Sequence, residues 1–222
     1  MIFMRICSLM LMVLTGCATS APTGLRFLAL GDSYTIGESV SESDRWPVRL
    51  ASALRADGYN IGDPTIIART GWTTGDLLAA MDQADLHGPY DLVGLLIGVN
   101  NQFQGRSEEE YREQFTTLLD RAIALAGNRP KHVIVLSIPD WGVTPFARSM
   151  NADPKAVGAA IDRFNAINKQ ITVNGGAAYI DITPLTRADT DLHADDGLHP
   201  SGAMYAKWVQ ASLGAAEAAV RQ

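Results

Sequence analysis

Five short apolar runs, at residues 26–30, 65–68, 91–97, 132–138 and 177–182, alternate with longer stretches of helical periodicity in this 222-residue chain. Runs that are apolar almost throughout, rather than at every second residue, belong to strands covered on both faces. Alternation with helices dictates parallel pairing, because each helix returns the chain to the end where the next strand must begin. The helical stretches are 46–57, 74–84, 107–126, 154–173 and 201–220. Two of them carry start signals: Ser107 with Glu110 reads as a capping box, and Asp153 precedes a proline at the first helical position. We therefore expect one α/β domain over residues 25–222, a three-layer α/β/α sandwich on a five-stranded parallel sheet. A hydrophobic share of 47% is ample for one core, and neither a repeat nor a low-complexity tract divides the chain. Strand order does not follow from the pattern.

Such sheets bind ligands where strands end and helices begin. Ser33 stands there, in the turn Gly31-Asp32-Ser33-Tyr34 after the first strand. A serine hydroxyl is a weak nucleophile without a base. Asp196 and His199, three residues apart in "DDGLHP", are spaced so that the carboxylate reaches one ring nitrogen while the other faces the serine. An acyl-transfer site also needs oxyanion donors. Gly71 in "ARTGWTT" offers an unobstructed backbone N–H, and Asn100 in "LIGVNNQ" a side-chain amide. Asp32 reads as a structural turn residue.

The segments "GDSYT", "RTGWTT", "GVNN" and "DGLHP" resemble, in order, the motif blocks of the GDSL or SGNH hydrolase family, across residues 31–200. The resemblance implies a flavodoxin-like SGNH hydrolase fold and cofactor-free, metal-independent hydrolysis of carboxylic esters. It implies a Ser33–Asp196–His199 triad, with the N–H groups of Ser33 and Gly71 and the Asn100 amide as the oxyanion hole. Short-chain acyl esters, lysophospholipids, thioesters and O-acetylated carbohydrates are substrates within the family. Two residues depart from the pattern: Tyr34 replaces the usual leucine, and Asn101 replaces an aspartate that supports the loop. An acyltransferase would use the same residues. A non-catalytic lipid- or glycan-binding lipoprotein would not need them.

The first residues read as an export signal: Arg5, an apolar run over 6–14, then Thr15-Gly16-Cys17. "LTGC" is similar to a bacterial lipobox, which implies a signal over 1–16, lipidation of Cys17 and a tether over 17–24. The protein would then sit in the cell envelope, anchored to a membrane and facing the periplasm or the exterior. The only cysteines are Cys7 and Cys17, so the domain has neither an internal disulfide nor a thiol nucleophile. A net charge of −6 without any Lys/Arg run argues against a nucleic-acid partner, and a monomer is expected.

Trp141 and Phe146, in "IPDWGVTPFARSM", are candidates for a substrate pocket. They could equally anchor packing, as could Trp46, Trp72 and Trp208. "DTDLHADDGLH" mixes carboxylates with His193 and His199, but it matches neither zinc spacing nor a calcium loop, so no metal is expected. His87, His132 and His193 are assigned to surface or loop positions, His132 at a strand start.

Overall fold

The computed structural model describes residues 24–221. The signal over 1–16, Cys17 and the tether up to residue 23 lie outside the described residues. Strands β1 (Phe27–Gly31), β2 (Thr65–Ala68), β3 (Leu92–Leu96), β4 (Val133–Leu136) and β5 (Ala178–Ile180) form one sheet in the order β2-β1-β3-β4-β5. Every pairing is parallel. β1, β3 and β4 are buried at every residue, which is why their sequences are continuously apolar. β2, at the sheet edge, is only half-covered.

Helices α2 (Trp46–Ala56) and α9 (Gly202–Val220) pack together as one outer layer. The other is built from α3 (Thr74–Gln83), α5 (Glu108–Leu125) and α7 (Pro154–Asn174). This is the expected three-layer α/β/α arrangement. Trp46 and Trp208 are fully buried, so these two tryptophans serve the core. Among the described residues, no helix is long and apolar enough to cross a membrane.

The order of strands places the site. The chain runs from β1 outward to β2, then returns to the other side of β1 to lay down β3, so the connections leaving β1 and β3 diverge. Register makes the three ends level: Gly31 lies opposite Ala68 of β2 on one side and Leu96 of β3 on the other. The loops after β1, β2 and β3 therefore open onto one crevice.

Four short helices were not apparent in the sequence: α1 (Ser33–Ile36), α4 (Val99–Phe103), α6 (Pro145–Ser149) and α8 (Thr183–Ala188). The capping box proposed for α5 is half-formed. Ser107 accepts from the Glu110 N–H at 3.1 Å, but the Glu110 carboxylate turns to Arg106 and Gln114. The reciprocal box stands instead at Thr73 and Asp76, ahead of α3. Asp153 caps α7 as expected, accepting from the Lys155 N–H at 2.9 Å.

Candidate active site

Gly31 closes β1 because nothing larger fits: a side chain there would run into the Thr35 hydroxyl and the Leu96 carbonyl. Asp32 follows and caps α1, accepting from the Tyr34 N–H at 3.0 Å. Ser33 is thus the first residue of a helical turn rather than part of an open loop, and it is 5% exposed.

Asp32 is fully buried, and its Oδ2 has no partner among the described residues. Burial pushes its carboxyl up to about 7, against the pull of the N–H groups of Tyr34, Asp32 itself and Gly98. A folded-state value above the unfolded one means that the folded protein binds the extra proton between them. Stability on this account falls as pH rises from about 4 to about 7, by at most about 4 kcal/mol, and is flat above. Urea midpoints of the parent should therefore drop relative to those of Asp32→Asn across that window. Parallel curves for the two proteins would contradict it.

His199 and Asp196 are brought together on the loop ahead of α9. His199 Nδ1 lies 2.6 Å from Asp196 Oδ2, with the ring nearly buried and the carboxylate about one-third exposed. Partial burial pushes the Asp196 carboxyl up. The Ser39 hydroxyl, the His199 ring and the N–H groups of Leu198 and His199 outweigh it and hold the group well below the usual carboxylate range. The ring of Tyr34 stands edge-on to His199, 5.5 Å between centroids, so the residue replacing the usual leucine braces the imidazole.

Gly71, with φ of +86°, occupies left-handed backbone in the turn after β2. Asn100 lies in α4, and its Nδ2 donates to the Trp72 carbonyl at 2.9 Å. That bond fixes the amide and ties α4 to the Gly71 turn, leaving the second amide hydrogen for another acceptor. The fully buried Asn101 does the work of the missing aspartate. Its Oδ1 accepts from the Thr74 N–H at 2.9 Å and its Nδ2 donates to the Thr74 hydroxyl at 2.7 Å, stitching α4 to the start of α3.

Ser33, Gly71, Asn100 and His199 line one cleft of about 150 Å³. The rest of its lining is mostly apolar, with Val99, Phe103, Trp141, Phe146 and Leu198 beside Tyr34 and the polar Thr70. The rings of Phe103, Trp141 and Phe146 lie within 5.3–6.4 Å of one another. Trp141 is further fixed by its Nε1 donating to Gln102 Oε1 at 2.7 Å. The segment carrying it is braced from below, where buried Asp140 accepts from the Gly142 N–H and pairs with Arg187 Nε, each at 2.8 Å.

Residues 29–207 match the family model described as the GDSL-like lipase/acylhydrolase family. The chain belongs to that family. It is a carboxylic ester hydrolase. An arylesterase of Vibrio mimicus is 31% identical over 144 residues, covering 62% of this chain and 67% of that protein. A phospholipase A1 from Streptomyces albidoflavus superposes with a TM-score of 0.65 at 21% identity, covering 87% of this chain and 98% of the other. An acetyl xylan esterase from Geobacillus stearothermophilus gives 0.68 at 18% identity, covering 87% and 94%. At such identities the two structures speak for the fold of this GDSL hydrolase alone.

Other expectations met different surroundings. His132, expected at a strand start in a surface or loop position, does stand directly before β4 but is buried, its Nδ1 lying 2.8 Å from the Asp91 carbonyl oxygen. His193 lies 3.0 Å from the Ala194 carbonyl oxygen, and Asp189 is taken by Lys207 at 2.6 Å. The sequence did not single out Ser39, Gln102 or Phe103.

Proposed function

We propose that this GDSL hydrolase is a serine esterase in which Ser33 is the nucleophile. Its Oγ bonds to the ester carbonyl carbon as its proton passes to His199 Nε2, the ring nitrogen left over once Nδ1 is engaged by Asp196. Asp196 fixes the tautomer and stabilises the imidazolium. The carbonyl oxygen becomes an oxyanion held by the N–H groups of Ser33 and Gly71 and by the Asn100 amide. Collapse expels the alcohol, which takes the proton from His199, and water repeats the sequence on the acyl-serine. The observation that carries this reading is the 2.6 Å Asp196–His199 pair, with His199 on the same cleft as Ser33, Gly71 and Asn100.

For the substrate, the apolar wall favours a hydrocarbon acyl or aryl group over a sugar. The cleft is small, about 150 Å³ against the roughly 300–1,000 Å³ usual for ligand pockets. Turnover of p-nitrophenyl esters should therefore peak at short acyl chains. Phe103→Ala tests the wall: this side chain is 47% exposed, so its loss costs little stability. The hexanoyl-to-acetyl ratio of kcat/KM should fall about fivefold, the worth of a methylene or two. A flat chain-length profile, unchanged in Phe103→Ala, would point to a substrate read by its alcohol.

We also propose that Cys17 carries the lipid that anchors the protein to an envelope membrane, on the support of the "LTGC" motif. Cys17→Ser should move the protein from the membrane to the soluble fraction of its host. Retention in the membrane would end the proposal.

A further inference from the structure

The Asp196 carboxylate offers about four acceptor positions, and all are taken. Oδ1 accepts from the N–H groups of Leu198 and His199, each at 2.9 Å. Oδ2 accepts from His199 Nδ1 and from the Ser39 hydroxyl, both at 2.6 Å. Three of these donors belong to the same short loop as Asp196 and would move with it. Ser39 alone comes from elsewhere, 157 residues away in sequence and only six beyond Ser33.

Its backbone is held for the purpose. Ser39 has φ of +63°, left-handed backbone that costs a serine free energy and that accompanies function where the surroundings enforce it. The enforcement is visible on both sides. The Glu38 N–H donates to the Ser33 carbonyl at 3.0 Å, the Val40 N–H closes a turn on Gly37 at 3.3 Å, and the Glu38 carboxylate accepts from the Thr70 hydroxyl. This stretch thus joins three parts of the site: the Ser33 turn, the strand-end loop that carries Gly71, and the Asp196 loop.

We propose that Ser39 is a positioning residue for ester hydrolysis, whose hydroxyl clamps the Asp196–His199 loop to the segment bearing Ser33. The proposal rests on the triad reading above. Without the clamp, the carboxylate is free to rotate and the imidazole loses its fixed line to Ser33, so kcat falls while substrate binding does not. Ser39 also shares Oδ2 with His199.

The test uses the full chain and p-nitrophenyl acetate. Ser39→Gly suits the left-handed backbone and removes only the hydroxyl. It should lower kcat about tenfold and leave KM within about twofold. Ser39→Asn tolerates the same backbone and restores a donor, so it should recover most of the loss. In an Asp196→Asn background, Ser39→Gly should change the rate less than about twofold, because the two act as one unit. Parental kcat in Ser39→Gly, or effects that multiply in the double variant, would overturn the clamp while leaving the triad standing. A parental rate in Asp196→Asn would instead remove the triad reading, and the clamp with it.

Discussion

Ser33→Ala will lower kcat/KM for p-nitrophenyl butanoate by at least about 10⁴-fold, because alanine has no atom that can form the acyl-enzyme. The substitution deletes one oxygen from a residue already 5% exposed, in a turn whose cap is the Asp32 side chain rather than the serine's own. Fold and thermal stability should therefore stay near those of the parent. KM should change little if, as proposed, ground-state binding falls to the rings of Phe103, Trp141 and Phe146 that line the cleft. Stopped-time product release against a thermal melt of the same preparation checks both halves. A well-folded variant that keeps more than about 1% of parental activity would mean that another group attacks the ester.

The next largest effect is expected at Asn100. Charge appears on the substrate oxygen only on the way to the tetrahedral intermediate, so a donor aimed there lowers the barrier without tightening the ground-state complex. Asn100→Ala should cost about 10²- to 10³-fold in kcat with KM within about threefold. It also cuts the 2.9 Å bond to the Trp72 carbonyl, which fixes α4 against the Gly71 turn. Asn100→Asp separates the contributions: it keeps the size but presents a negative charge to a developing oxyanion, and should be at least as damaging. A rise in KM with unchanged kcat in either variant would place Asn100 among the binding groups instead.

What the sequence disclosed, and what it hid, follow from the range of the interactions involved. β1, β3 and β4 were legible because continuous apolar runs report double-sided burial directly, and three of the four motif segments lie beside the ends of β1, β2 and β3, the fourth standing just ahead of α9. Helices α1, α4, α6 and α8 span four to six residues, too few for helical periodicity to register. Asn101 looked like a loss of loop support. Only the fold shows that an amide can accept from the Thr74 N–H and donate to its hydroxyl at once. His132 owes its burial to a carbonyl 41 residues away, and Ser39 meets its carboxylate across 157. Nothing near either residue in sequence marks such a partner. Phe103 was hidden for another reason, since an exposed phenylalanine at a helix end carries no signal until Trp141 and Phe146 are seen beside it.

In the proposed mechanism Ser33, activated by His199, forms a covalent acyl-enzyme. A p-nitrophenyl alkylphosphonate tests it most directly: attack at phosphorus forms an Oγ–P bond, expels p-nitrophenolate and leaves an adduct too stable to hydrolyse quickly. Intact-mass measurement followed by peptide mapping should find one phosphonyl group per chain, on Ser33, with activity lost in proportion. Labelling should vanish in Ser33→Ala and slow at least about 10³-fold in His199→Ala. An adduct on any other residue, or equal labelling of the parent and Ser33→Ala, would contradict the account.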